Sequence, residues 1–78
     1  MAVITSFAKG DPANLKRHRT TVDARYFIFG EGPDGPLFQI NTYGSKDRET
    51  AGVSQTIQLD RNSAARLWRL LGETYGFK

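Results

Sequence analysis

Two segments of the chain alternate between apolar and polar side chains with the two-residue period of a β-strand. Residues 37–43 place Phe38, Ile40 and Thr42 on one side of a strand. The opposite side carries Leu37, Gln39, Asn41 and Tyr43. Residues 54–59 alternate in the same way, with Ile57 and Leu59 opposite Thr56 and Gln58. Both segments are therefore predicted to be strands with one face on a core and one face in water.

A third strand is predicted over residues 20–29, which are rich in β-branched and aromatic side chains that suit a pleated sheet. Glycines and prolines between residues 30 and 36 favour chain reversal, so this strand and the next form a predicted hairpin. Residues 1–19 are expected to be an N-terminal arm or a weak edge strand. Residues 20–78 are then the main folded unit, and residues 44–52 are an exposed loop within it.

A helix is predicted after Asp60, because a carboxylate at that position can accept hydrogen bonds from the unpaired amides of a first helical turn. An apolar stripe follows with helical spacing and is expected to pack on the sheet. Its members are Ala64, Leu67, Trp68, Leu71 and Tyr75, of which the last four are assigned to the core or a dimer interface. Gly72 leaves two possible ends for the helix, at Gly72 itself or near Gly76.

The predicted fold class is α+β, a small antiparallel sheet of three to four strands followed by one C-terminal helix. A chain of 78 residues forms one small domain. On folding, such a domain buries only about 60% of the surface that its unfolded chain exposes. The sequence has no cysteine and one histidine, so disulfides and clustered metal ligands cannot supply the missing stability. We therefore expect a homodimer, without metal or cofactor.

The positive charge is concentrated in the first part of the chain. Residues 1–29 contain five basic and two acidic residues, whereas residues 30–78 contain six of each. Clustered Lys and Arg favour a polyanionic partner, although a net charge of +3 can also serve solubility. No apolar run approaches the roughly 20 residues of a membrane span, and no signal-like segment is present. The default expectation is a cytoplasmic protein.

The basic residues Arg17, Arg19 and Arg25 are the best candidates for a functional site, because guanidinium groups bind phosphates and stack on bases. The alternative is a solvated arm. Tyr26 and Tyr43 are candidates for stacking unpaired bases, or else for burial in a dimer interface or against the helix. Phe27, Phe29 and Phe38 are assigned to the core.

Motifs for catalysis are weak. Gly30, Gly32 and Gly35 have the spacing of a dinucleotide-binding loop, but Pro36 and a strand follow where that motif requires a helix. His18 lies within a basic run, where it is expected to be solvated. An enzyme is therefore not expected.

The order of strand, hairpin, alternating strand, polar loop, strand and capped helix resembles the PC4 family of single-stranded-DNA-binding transcriptional coactivators, including its short bacterial members. The similarity extends from about Arg25 to Glu73 and is best over residues 37–43 and 56–60. The resemblance implies a curved antiparallel sheet, a homodimer built partly through the helix, and strand faces that hold unpaired DNA.

The combined expectation is a homodimer that binds single-stranded DNA or RNA with little sequence preference, as an accessory factor in transcription or DNA maintenance. Phosphates would be bound by Arg17, Arg19, Arg25, Lys46 and Arg48. Tyr26 and Tyr43 would stack on bases, and Gln39 and Asn41 would bind base edges or sugars. The alternative is a small protein-interaction module, a regulator or inhibitor that binds no nucleic acid, which the acidic residues Glu31 and Asp34 in the hairpin favour.

Overall fold

Four strands and one helix form the described part of the chain. The computed structural model describes residues 1–33, 35–44 and 52–77. The strands are β1 (Ala2–Ile4), β2 (Ala24–Phe29), β3 (Leu37–Tyr43) and β4 (Val53–Leu59), and the helix α1 spans Arg61–Tyr75. This confirms the predicted α+β fold with one C-terminal helix. The strand predicted from Thr20 begins only at Ala24.

The strands form one sheet in the order β1-β4-β3-β2. β2 pairs antiparallel with β3, and β3 pairs antiparallel with β4. β1 lies at the edge beside β4 and runs parallel to it. The sheet is therefore mixed, and the prediction of a purely antiparallel sheet was wrong for β1. A long irregular segment follows β1, and without a tight turn the local sequence does not determine the direction of a strand.

The hairpin between β2 and β3 forms where the glycines and prolines predicted it. Gly30 and Gly35 adopt φ angles of 89° and 78°, a left-handed region in which a side chain would be strained. The Gly35 N–H donates to the Gly32 carbonyl at 3.0 Å and closes a turn within the loop. Asp34 lies outside the described residues. The loop thus aligns Phe29 opposite Leu37 at the start of the ladder.

The two faces of the sheet differ in chemistry. Paired residues point to the same side and neighbours along a strand point to opposite sides, so the pairing register assigns each side chain to a face. We call one side the apolar face: it holds Ile4, Tyr26, Ile28, Phe38, Ile40, Ile57 and Leu59. We call the other side the polar face: it holds Arg25, Phe27, Phe29, Leu37, Gln39, Asn41, Tyr43, Thr56 and Gln58.

The helix begins and ends through local hydrogen bonds. The Asp60 carboxylate accepts from the Ser63 N–H at 2.8 Å, and the Ser63 hydroxyl oxygen accepts from the Asp60 N–H at 3.0 Å. This reciprocal capping confirms Asp60 as the residue that starts the helix. The helix continues through Gly72 and ends at Gly76, whose φ of 75° and hydrogen bond to the Gly72 carbonyl at 2.8 Å form a C-cap.

The apolar stripe of α1 does not cover the sheet of its own chain. Trp68 is 65% exposed, Leu71 and Tyr75 are also exposed, and Leu67 is half-buried. The predicted packing of this stripe on the sheet was therefore wrong for a single chain. Asp60 alone separates β4 from α1, and the helix makes its main sheet contacts with β4. Leu59 is the sole buried apolar side chain of the described residues, at 4% exposure.

The cap gives the fold a pH dependence. Hydrogen bonds from the Ser63 backbone N–H, and then from the Ser63 side chain, lower the pKa of Asp60 below its ordinary value of 3.8. A lowered folded pKa stabilises the fold at pH values above 3.8, and this contribution is lost as the pH falls through the folded pKa.

We expect Asp60→Asn, which retains a capping oxygen, to reduce this acid sensitivity in thermal unfolding followed by circular dichroism. Asp60→Ala should lower Tm at neutral pH, and an unchanged Tm would contradict the role of the cap.

Candidate nucleic-acid interface

Four of the residues predicted to bind nucleic acid lie on the polar face. Gln39, Asn41 and Tyr43 occupy alternate positions of β3, and Arg25 on β2 is directly opposite Asn41. The alternation that the sequence showed in residues 37–43 is what brings these side chains to one side. The polar face is therefore the candidate site.

Arg25 and Tyr43 form the charged and aromatic end of this face. The guanidinium carbon of Arg25 lies 5.3 Å from the centroid of the Tyr43 ring, within the distance of a cation–π interaction. The Tyr43 N–H donates to the Asp23 carbonyl at 3.3 Å, which continues the ladder between β2 and β3. Arg25 is exposed and Tyr43 is half-buried. The ring holds the cation at the surface while leaving its N–H groups accessible.

Amide side chains form a row next to this pair. Gln58 Nε2 donates to Gln39 Oε1 at 2.7 Å, and Gln39 Nε2 donates to Asn41 Oδ1 at 2.9 Å. The Thr56 hydroxyl also donates to Asn41 Oδ1, at 3.0 Å. Asn41, at the centre of the row, is buried, with 8% of its surface exposed. These bonds fix the side chains of β3 and β4 in one arrangement, so the row is a rigid neutral platform.

Tyr26 does not join this surface. It lies on the apolar face, where its ring stacks on Phe38 with a centroid distance of 5.5 Å and an interplanar angle of 6°. The expectation that Tyr26 and Tyr43 share a site was therefore wrong. Tyr26 directly follows Arg25 in an extended strand, and consecutive side chains must point to opposite faces.

Phe27 and Phe29 lie on the polar face, although the sequence assigned them to the core. They are 42% and 43% exposed, respectively. Phe27 pairs with Gln39 and so adds an aromatic ring beside the amide row. Phe27 and Phe29 alternate with Arg25 along the strand, so the sequence could have placed all three on one face. Apolar residues on both sides of β2 concealed this pattern.

The remaining predicted phosphate ligands are not on the polar face. Arg17 and Arg19 are exposed in the irregular segment between β1 and β2, outside any strand. Nearby, His18 Nδ1 accepts a hydrogen bond from the Thr20 N–H at 3.0 Å, which closes a local turn. Lys46 and Arg48 lie outside the described residues.

A second surface feature lies at the end of α1. An open cleft is lined by Trp68, Arg69, Gly72, Glu73 and Phe77. Its wall is held by stacking of Phe77 on Tyr75, with a centroid distance of 5.4 Å. The cleft combines aromatic rings with one basic and one acidic side chain, a composition that favours a peptide over a polyanion.

Comparison with protein-family models, with curated proteins and with solved structures finds no match for this chain. Within residues 1–33, 35–44 and 52–77, no helix has the length and apolarity needed to cross a bilayer. No three His, Asp or Glu side chains of those residues are grouped as a metal ion would require.

The amide row should contribute to stability through its buried member. Asn41→Leu removes the acceptor of Gln39 and Thr56, and we expect a loss of about 1–3 kcal/mol in the free energy of unfolding. Gln55→Leu is the matched control, since Gln55 is exposed at a neighbouring position of β4. Urea denaturation at one protein concentration measures both variants. Equal stability of the two variants would show that the row is not a structural network.

Proposed function

We propose that this chain binds single-stranded nucleic acid with little sequence preference through the polar face, as a cytoplasmic homodimer. The observation that carries the proposal is the placement of Arg25, Tyr43 and the amide row on one face of a sheet whose other face is apolar. One face is then available for the ligand and the other for dimerisation. The resemblance to the PC4 family, which led to the same expectation, is consistent with this division.

Each group on the polar face has a role that suits an unpaired strand. Arg25 contacts a phosphate, for which its fork of N–H donors is well shaped. Tyr43 and the exposed ring of Phe27 stack on bases, which is worth about 1–3 kcal/mol per base and tolerates any sequence. Gln39 and Asn41 offer neutral polar contacts to bases or sugars. The strand positions of the polar face contain no Asp or Glu that would repel phosphates.

The surface area of the chain supports the homodimer. The chain exposes 7174 Å², whereas a compact protein of this mass exposes about 4,700 Å². Obligate dimers bury about 1,000–2,500 Å² per protomer, which is the size of this excess. Exposed apolar side chains on the apolar face (Tyr26, Ile28 and Ile57) and on the helix stripe (Trp68, Leu71 and Tyr75) contribute to it. We assign this stripe to the dimer interface.

A protein-interaction module is the second candidate, favoured by the mixed-charge cleft between Trp68 and Phe77. In that function the cleft binds a peptide of another protein, and the polar face has no ligand. The two candidates differ in salt dependence. Binding to nucleic acid weakens steeply with salt, whereas binding of a peptide in an apolar cleft does not.

Titration of a labelled oligo-dT at several salt concentrations tests the nucleic-acid proposal. The two Arg25 residues of a dimer should make about two phosphate contacts, which give a log–log slope near −1.4. Arg25→Gln removes both contacts and should bring the slope close to zero.

Arg61→Gln is the matched control, since it removes the same charge from the exposed first turn of α1. It should leave the slope nearly unchanged. Absence of binding at low salt, or equal effects of the two substitutions, would contradict a site on the polar face.

Sedimentation equilibrium tests the role of the helix stripe in the dimer. Trp68→Ala should raise the dissociation constant of the dimer at least tenfold, since buried interface tryptophans are frequent hot spots worth 2 kcal/mol or more. Arg66→Ala changes an exposed residue away from the stripe and is the control. Equal dissociation constants for the two variants would place Trp68 outside the interface.

A further inference from the structure

The two edges of the sheet are unequal. β1 forms one edge with three residues, a length too short to template pairing with another chain. β2 forms the other edge with six residues, and no strand of the described residues lies beyond it. Its sequence, Ala-Arg-Tyr-Phe-Ile-Phe, contains no proline or lysine, and its pairing with β3 has no bulge. Apart from the charge of Arg25, β2 therefore lacks the features that normally protect an edge strand.

The hydrogen bond from the Tyr43 N–H to the Asp23 carbonyl determines which groups face this edge. In an antiparallel ladder, hydrogen-bonded and non-hydrogen-bonded pairs alternate. Asp23 belongs to a hydrogen-bonded pair, so Arg25, Phe27 and Phe29 also direct their N–H and C=O groups towards β3. The N–H and C=O groups of Ala24, Tyr26 and Ile28 therefore point away from β3, to the open edge.

We propose that β2 pairs antiparallel with β2 of a second copy, with Phe27 on the two-fold axis, so that the two sheets become one of eight strands. This inference rests on the proposed homodimer and does not depend on the nucleic-acid ligand. The second copy is the occupant that fits, because the strand is complementary to itself in this register. Tyr26 and Ile28 of each copy exchange hydrogen bonds with Ile28 and Tyr26 of the other.

The register follows from the side chains. Pairing centred on Phe27 places all residues from Arg25 to Phe29 opposite a residue of the second copy. Arg25 then lies beside Phe29, where a cation over a ring is attractive. The two Arg25 residues are four positions apart along the strand direction, about 14 Å, so like charges are not opposed. Tyr26 lies beside Ile28 on the apolar face, an aromatic and β-branched pair that stabilises a sheet.

The arrangement has a consequence for the polar face. A two-fold axis perpendicular to the sheet keeps both polar faces on the same side. The two pairs of Arg25 and Tyr43 then belong to one continuous surface. Both apolar faces lie on the opposite side, and they are removed from water only if the helix stripe of each copy packs on the sheet of the other.

Single cysteines give a direct test, because the chain has no native cysteine. In this register the Phe27 residues of the two copies face each other as a non-hydrogen-bonded pair. Their Cα atoms are then about 4.5 Å apart, which is within the range for a disulfide. Under mild oxidation, Phe27→Cys should form a covalent dimer at least tenfold faster than Leu15→Cys, whose thiol is exposed in the irregular segment. Equal or slower cross-linking of Phe27→Cys would overturn the pairing.

A second pair of variants tests the backbone bonds without relying on a thiol. Ile28→Pro and Ile28→Ala both remove the isoleucine side chain, and only proline also removes the N–H that faces the edge. Because this N–H points away from β3, both variants keep the hydrogen bonds between β2 and β3. Loss of two intermolecular hydrogen bonds should raise the dimer dissociation constant at least tenfold above that of Ile28→Ala. Equal constants would overturn the proposal. A dimeric wild-type chain that fails both tests contradicts this interface alone, whereas a monomeric wild-type chain contradicts the homodimer as well.

Discussion

The sheet has an apolar face that the helix of the same chain leaves uncovered, and this exposed face governs how the chain can fold and associate. A two-layer fold is stable when each apolar face packs against another element. Here α1 follows β4 after a single residue and packs little against the sheet, so Ile28, Ile57 and the Trp68 stripe stay exposed. Water contact at these positions is unfavourable by about 25 cal/mol for each Å² of apolar surface. We propose that a homodimer removes this surface from water.

The same constraint explains why the other face of the sheet is available for a ligand. Its polar groups are paired with one another through Gln39, Asn41 and Thr56 and need no covering layer. The network also keeps the face rigid, so a bound strand would not have to order it. Arg25 supplies the positive charge of this face and Tyr43 holds it in place. In the function proposed here, dimerisation and ligand binding therefore use opposite sides of one thin sheet.

Local features of the fold could be predicted from the sequence, whereas long-range features could not. The alternation in residues 37–43 and the cap at Asp60 depend on neighbouring residues, and both were predicted correctly. The parallel direction of β1 depends on a partner more than fifty residues away along the chain. Tyr26 was assigned to the wrong face because β2 has apolar residues on both of its sides. The composition of the strand therefore did not show which residues face the core. Trp68 was expected to pack because its spacing is amphipathic, but spacing does not say which chain covers the stripe.

The dependence of Tm on protein concentration shows whether a second copy covers the apolar face. Folding of an obligate dimer is coupled to association, so its Tm rises with concentration, whereas the Tm of a folded monomer does not. We predict that Tm increases steadily as the chain concentration rises from low to high micromolar. We also predict that dilution lowers the helical signal in circular dichroism. A constant Tm with full helical signal at every concentration would contradict the claim that a second copy covers the apolar face.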